Sequence, residues 1–321
     1  MMAHHHSSRV LWFKDLLLLP FAVAMLWMSF PFVTLSAKCF LTSDQCTRLG
    51  WKGASFSHPL TAAALHLLVV GLSLLVVSTI LSTSSFSCCS NNSTGHGQQE
   101  QEQEQNSNND HHSLKDKLRI CVPVGLVFGA KYSVGHWALQ MTPAVVYELF
   151  HAFNLLFVAL FAHIILGEHL HTYGERLGVM GVVVGSMLAV VHEFNGTSLS
   201  PLAFLLNIIN GALAGALVVF LRLSMLRCHG QVVQVTAFKM LIGAAALLPV
   251  CLVFDETSFA MTFTQWMWLC ISSAAILVYH VSLGLLCWLS TAPTVSIVEA
   301  LHNSRKNRVK KELAVILPVV L

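Results

Sequence analysis

The sequence feature that most constrains the fold is the apolar run Thr142–Glu168, which reads TPAVVYELFHAFNLLFVALFAHIILGE. It is long enough to cross the hydrocarbon core of a bilayer as one helix, which needs about 20 apolar residues. Pro143 lies near its start and Gly167 near its end, and its first turns hold Glu148 and His151. Because an ionisable group is costly to keep at membrane depth, such side chains indicate function by default.

The composition of the whole chain excludes an ordinary soluble domain. Of its 321 residues, 55% are hydrophobic and only 10% are charged, whereas soluble domains carry about 25% charged residues. We therefore predict an all-α, polytopic helical membrane protein embedded in a lipid bilayer. The net charge of +3 is too small to indicate a nucleic-acid partner, and the nine cysteines show no CxxC spacing. We find no nucleophile, metal cluster or phosphate loop, and we predict neither an enzyme nor a cofactor.

The chain divides into apolar runs with polar connections. Residues 1–9 are predicted to be a cytosolic N-terminus, 10–86 to hold helices 1 and 2, and 87–117 to be a disordered polar loop, because the low-complexity stretch has almost no apolar residues. Residues 118–194 are predicted to hold helices 3 to 5, and residues 195–321 to hold helices 6 to 9. The predicted helices are Val10–Ser36, Pro59–Leu81, Leu118–Met141, Ala144–Leu166, Arg176–Glu193, Pro201–Met225, Gln231–Phe254, Gln265–Leu289 and a ninth within Ser290–Leu321.

Two further patterns bear on how these helices are arranged. Basic residues are concentrated in the connections that follow even-numbered helices, which predicts a cytosolic N-terminus. The glycines at 178, 181 and 185 in predicted helix 5 favour close packing against another membrane helix. The opening of the run at Thr142 also has a weaker copy about 150 residues later, at Ala292–Leu301. Each copy places a proline and then a glutamate, Glu148 or Glu299, at the head of an apolar helix, which suggests an internal duplication.

The order of motifs from helix 3 onward resembles a known transporter superfamily. Lys131–Glu148 reads KYSVGHWALQMTPAVVYE, the next helix ends in LGE at Glu168, and Gly178–Gly185 reads GVMGVVVG. This succession is similar to the drug/metabolite transporter superfamily. The segment VHEFN that starts at Val191, the late Arg222 of helix 6, and WLSTAPTVSI from Trp288 resemble its triose-phosphate/nucleotide-sugar branch.

This resemblance implies a fold and a function. It implies inverted five-helix repeats, with a substrate bound near the midplane between the two halves. It further implies the exchange of anionic sugar compounds, either nucleotide sugars or sugar phosphates, by alternating access across a Golgi, ER or plastid membrane. A homodimer is left open. The sequence departs from the pattern at its end, where basic residues interrupt helix 9 and a tenth helix is missing, so we expect a truncated second repeat.

Transport of an anionic sugar compound needs fixed cations for the phosphate, hydrogen-bonding groups for the hydroxyls and aromatic faces for stacking. Polar and aromatic residues inside the predicted helices supply these groups. The predicted substrate-binding residues are Lys131, Tyr132, Glu148, Asn210, Arg222, Lys239, Tyr279 and His280.

Several of these residues have a second interpretation. Glu148 would either pair with Lys131 or act in gating and proton coupling, and Arg222 would either bind substrate or extend to the cytosolic interface. Asn210 would also serve, with Asn207, as a hydrogen-bonding link between helices. Two alternative functions are a proton-coupled metabolite or drug exporter of the same superfamily, driven through Glu148 and His151, and a truncated membrane protein that does not transport. His151 alone is better explained as a packed histidine, and Glu168 as a solvated residue at the interface.

Overall fold

The computed structural model describes residues 18–29, 59–89, 114–142, 147, 150, 153–168, 173–194, 200–228, 230–254 and 262–298. These residues are almost entirely helical. The helices are α1 (Leu18–Ser29), α2 (Pro59–Cys89), α3 (Leu114–Met141), α4 (Asn154–Phe161, continued by the π-helical turn Ala162–Leu166), α5 (Tyr173–Phe194), α6 (Pro201–Arg227), α7 (Val232–Phe254), α8 (Phe263–Leu289) and α9 (residues 292–298).

Five of these helices, α2, α3, α6, α7 and α8, are long and apolar enough to cross a membrane. The described parts of α1, α4 and α5 contribute shorter apolar segments. The prediction of an all-α membrane protein is therefore confirmed at this level.

Local sequence explains where several helices begin and end. The Ser200 hydroxyl accepts a hydrogen bond from the Ala203 N–H at 3.2 Å, and Pro201 occupies the first turn of α6, where its missing N–H costs nothing. At the start of α8, Thr262 and Gln265 exchange side-chain and backbone hydrogen bonds in a capping box. Gly167 ends the π-helical turn with a φ of 67°, a left-handed conformation that favours glycine.

Helix α7 packs against both α2 and α3 at the centre of the described bundle. Glycines allow the α3–α7 contact to be close, because a Cβ at Gly125 would lie 2.5 Å from the Ile242 Cβ, and one at Gly129 would lie 2.9 Å from the Gly243 carbonyl oxygen. Between membrane helices, where lipid is as apolar as leucine, close backbone packing of this kind is a main source of association. The α3–α7 pair is thus a rigid platform for the side chains it carries.

A second set of contacts centres on α6, which packs against α3, α4 and α8. Gly215 of α6 lies against α4, where an added Cβ would be 2.6 Å from the Phe157 Cβ. Helix α8 also packs against α2, and His66 of α2 is hydrogen-bonded to Ser272 of α8. The start of α9 joins the same core, since Ala292 and Val295 are fully buried in it.

The structure corrects several sequence predictions. The predicted loop 87–117 is wrong at both ends, since α2 continues to Cys89 and α3 begins at Leu114. A helix that leaves the bilayer no longer needs apolar residues, and the lysines, arginine and first-turn Asp116 that open α3 favour a helix. Residues 90–113 lie outside the described residues. The predicted close packing of the α5 glycines is also wrong within the described residues, because a Cβ at Gly178, Gly181 or Gly185 would meet no atom within 4 Å.

Candidate functional site

Lys239 of α7 is a charged side chain buried completely within the bundle. Its Nζ lies 3.2 Å from Nδ1 of His280 on α8 and 5.1 Å from the centroid of the Phe128 ring on α3. A buried ammonium needs compensation for the hydration it loses, and an imidazole nitrogen and an aromatic face both supply it. Three helices therefore meet around one lysine.

The Phe128 ring organises the aromatic part of this cluster. Its centroid lies 4.8 Å from the Tyr132 ring and 5.1 Å from the His280 ring, both in edge-to-face geometry. The ring reaches this place because α7 carries Gly243 opposite it, where an added Cβ would lie 2.6 Å from the Phe128 Cδ1. Phe128 was missed from the sequence because a phenylalanine in an apolar run is most often a core residue; its only signal is its place between Gly125 and Gly129.

The contact with Lys239 determines which nitrogen of His280 carries the proton. A lysine ammonium has three donors and no acceptor, so it donates to Nδ1, and the proton of the neutral imidazole then lies on Nε2. His280 is 3% exposed, and its Nε2 is buried without a hydrogen-bond partner among the described residues. The structure thus holds a buried donor that a ligand acceptor would satisfy.

Lys131 and Tyr279 extend the cluster. The Lys131 Nζ lies 5.8 Å from the centroid of the Tyr132 ring, which packs against Phe128. The Tyr279 ring lies 4.9 Å from the His280 ring. We call Lys131, Lys239 and His280 the anion end of the site, because their cations and donor are the groups that an anion requires.

Asn210 of α6 and Tyr147 form a second group beside α3, which we call the amide end. The Asn210 Nδ2 donates to the Tyr147 hydroxyl at 3.2 Å. Both residues lie next to Gly135 of α3, about one helical turn after Tyr132, and Tyr132 packs on the Phe128 ring of the anion end. Helix α3 therefore lies along both ends of the site. Tyr147 was missed from the sequence, although a tyrosine beside Glu148 in an apolar run was a signal.

Arg222 lies outside this cluster and contacts a different set of residues. Its Nε lies 3.3 Å from the Glu168 Oε1, and its Nη1 donates to the carbonyl oxygens of Cys287 at 2.7 Å and Trp288 at 2.6 Å. The Glu168 Oε2 in turn accepts from the Ala292 N–H at 2.9 Å. Arg222 thus joins the ends of α4 and α8 to the start of α9, instead of extending to solvent. The prediction that Glu168 is solvated is likewise wrong.

Some of the remaining predictions concern residues that the structure describes, and others concern residues outside them. Asn207 does link helices, since its Nδ2 donates to the Thr142 hydroxyl at 2.7 Å. Asn210 also makes an interhelical contact, but with Tyr147. Glu148, His151 and Glu299 lie outside the described residues. Five of the eight predicted binding residues therefore lie in one connected series of contacts, and Asn210 lies beside the same helix, α3; the five are Lys131, Tyr132, Lys239, Tyr279 and His280.

This arrangement can hold a ligand that is anionic at one end and polar at the other. The anion end offers two ammonium groups and an imidazole N–H, the middle offers aromatic faces, and the amide end offers an amide and a phenol. Models of known protein families give no match to the chain, and no curated protein sequence matches it.

Proposed function

We propose that this protein is a transporter of the drug/metabolite superfamily, similar to its triose-phosphate/nucleotide-sugar branch, that exchanges anionic sugar compounds by alternating access across a Golgi or ER membrane. The observation that carries the proposal is the complete burial of Lys239 against His280 and Phe128, with Lys131 beside Tyr132 of the same aromatic cluster, inside a bundle of apolar helices. Charged residues in membrane segments are rare and characteristically line substrate or ion pathways. Aromatic faces and an amide beside these cations suit a sugar or base attached to a phosphate.

The helix contacts support the inverted repeats of this proposal. In two five-helix repeats, each helix of the first half corresponds to the helix five positions later. Helix α3 then corresponds to α8, and α2 corresponds to α7. The counterpart of the α3–α7 contact is therefore an α8–α2 contact, and the α2–α7 contact is its own counterpart. All three contacts are present. The burial of Ala292 and Val295 favours transport over the truncated, non-transporting alternative, because the start of α9 packs into the core.

The test is exchange in proteoliposomes preloaded with a nucleotide sugar, UDP-glucose, or with a sugar phosphate, glucose 6-phosphate. We expect Lys239→Met and Lys131→Ala to reduce exchange at least about tenfold, which corresponds to about 1.4 kcal/mol. Lys115→Ala is the matched control, because Lys115 is an exposed lysine near the start of α3, and its loss should leave exchange unchanged.

Two results would refute the proposal. One is a wild-type protein that exchanges no anionic sugar compound. The other is exchange by both lysine variants at the wild-type rate. The stability of each purified variant, measured by its unfolding in detergent, shows whether a loss of exchange results from loss of the fold. Proton-driven export of a neutral or cationic metabolite in the same liposomes would instead support the alternative that depends on Glu148 and His151.

A further inference from the structure

The Asn210 side chain is held in one orientation, with one of its two polar atoms satisfied and the other open. Its Nδ2 donates to the Tyr147 hydroxyl at 3.2 Å. Its Oδ1 is buried and has no hydrogen-bond partner among the described residues, and the residue as a whole is 4% exposed. A buried amide oxygen without a donor is unfavourable, and such groups are uncommon in folded proteins. The amide end of the site therefore holds an acceptor that a ligand donor would satisfy.

Gly135 of α3 lies directly beside this oxygen. A Cβ added at Gly135 would lie 2.8 Å from the Asn210 Oδ1 and 3.4 Å from the Tyr147 hydroxyl. Any side chain at this position would press on the unpaired acceptor. The glycine thus lets the Asn210 carbonyl lie close to α3, while Tyr147 holds the amide from its nitrogen side.

The two open atoms of the site have opposite character. The His280 Nε2 is a buried donor on the ring that contacts the Lys239 ammonium, and the Asn210 Oδ1 is a buried acceptor. A ligand that satisfies both brings an anionic acceptor to one end and a hydrogen-bond donor to the other. Inorganic phosphate and UDP offer the anion but lack the hexose hydroxyls of glucose 6-phosphate and UDP-glucose. A sugar carrying a phosphate offers both.

We propose that Asn210 is the specificity-determining residue of the site, accepting a hydrogen bond from a hexose hydroxyl, and that Tyr147 and Gly135 are positioning residues that orient its carbonyl and leave room for it. This assignment rests on the proposed function, and it adds the discrimination between an anion that carries a hexose and the same anion without the hexose. A site built to bond a hydroxyl strongly rejects a ligand that lacks it, because the buried acceptor then stays unpaired.

The experiment measures the binding of matched pairs of anions to the purified full-length protein in detergent. The pairs are UDP-glucose with UDP, and glucose 6-phosphate with inorganic phosphate. We expect Asn210→Leu to weaken the binding of the hexose-bearing member of each pair about tenfold. The affinity for the member without the hexose should change less than twofold. Tyr147→Phe should weaken the binding of the same member by a smaller factor. This variant keeps the Asn210 amide but removes the hydroxyl that orients it.

Two variants separate this role from a structural one. Asn207 lies one helical turn from Asn210 on α6, and its amide already bonds Thr142 and its own helix. Asn207→Leu should therefore lower stability without changing the ratio of the two affinities. Lys239→Met should weaken both members of each pair alike, because it removes the shared anion contact.

The outcomes distinguish this assignment from the proposed function. If the wild-type protein binds no member of either pair, the proposed function fails and the assignment fails with it. If anions bind but Asn210→Leu leaves the ratio unchanged, or weakens both members equally, only the assignment of Asn210 is overturned. Gly135→Ala is a second test at the same place, since filling the space should reproduce the selective loss while Asn210 itself is retained.

Discussion

Replacement of Arg222 should destabilise the bundle, because its guanidinium joins the ends of α4 and α8 directly and reaches the start of α9 through Glu168. It bonds Glu168 at 3.3 Å and the carbonyl oxygens of Cys287 and Trp288 at 2.7 and 2.6 Å. Both carbonyls belong to the last turn of α8, whose final carbonyls have no intrahelical partner. A cation at that place also complements the negative end of the helix. Arg222→Met would remove all of these interactions and leave Glu168 with only the Ala292 N–H.

The expected magnitude follows from the burial of the pair. Loss of one partner from a buried ion pair costs about 3–5 kcal/mol. Here the side chains of Arg222 and Glu168 remain 14% and 17% exposed, so water replaces part of what is lost. We therefore expect Arg222→Met to lower the free energy of unfolding by about 2–4 kcal/mol. Arg222→Lys should cost less, because it keeps the charge but cannot reach all three oxygens from one planar group.

The assay is reversible unfolding in mixed micelles, applied to a double-mutant cycle of Arg222→Met and Glu168→Gln. A coupling energy of about 1–3 kcal/mol is expected for residues in direct contact. Arg227→Met is the control, since Arg227 is an exposed arginine on the same helix, and its loss should cost under about 0.5 kcal/mol. A coupling energy near zero, or equal effects of the Arg222 and Arg227 variants, would refute the role given to Arg222.

Three further predictions concern packing and capping. Gly243→Ala should lower the free energy of unfolding by about 1–3 kcal/mol and weaken anion binding, because the new methyl group presses on the Phe128 ring. Gly178→Ala is the control, and it should change neither measurement because Gly178 faces open space among the described residues. Asn207→Leu should cost about 1–3 kcal/mol in the same unfolding assay by leaving the buried Thr142 hydroxyl without its partner, and a combined Thr142→Val change should recover part of this loss. Thr262→Ala should cost about 0.5–2 kcal/mol through loss of the capping box, with helical circular dichroism little changed; a wild-type unfolding curve would contradict this role.

The extent of the long helices was predictable from the sequence. Helices α6, α7 and α8 each lie within about two residues of their predicted bounds at either end, because a long apolar run between polar links has one physical solution in a bilayer. The predicted end of α4 at Leu166 is also confirmed, although the sequence gives no sign of the π-helical turn that forms this end. The predicted end of α2 at Leu81 is too early, and the predicted start of α3 at Leu118 is too late. Both differences arise because a helix continues beyond its last apolar residue.

The grouping of the polar residues was only partly predictable. Lys131 and Lys239 could be selected because any lysine at membrane depth is costly, and this argument needs no structure. Arg222 was selected by the same argument, but its contact with Glu168 was not predictable, since Glu168 is 54 residues away at the end of another helix. The faces that meet were not predictable either, because a helix such as α7 is apolar on all sides and its sequence has no polar face to orient it.

Packing and chemistry are linked where α3 meets α7. The glycines at 125 and 243 let the backbones approach until a Cβ at Gly125 would lie 3.4 Å from the Lys239 carbonyl oxygen and one at Gly243 would touch Phe128. This approach brings the aromatic ring to 5.1 Å from the Lys239 ammonium. A lysine fixed by close backbone packing loses little conformational freedom when an anion binds, which favours affinity. The strength of the anion end therefore depends on residues that carry no charge, and the glycines of this contact belong to the site as much as the lysine does.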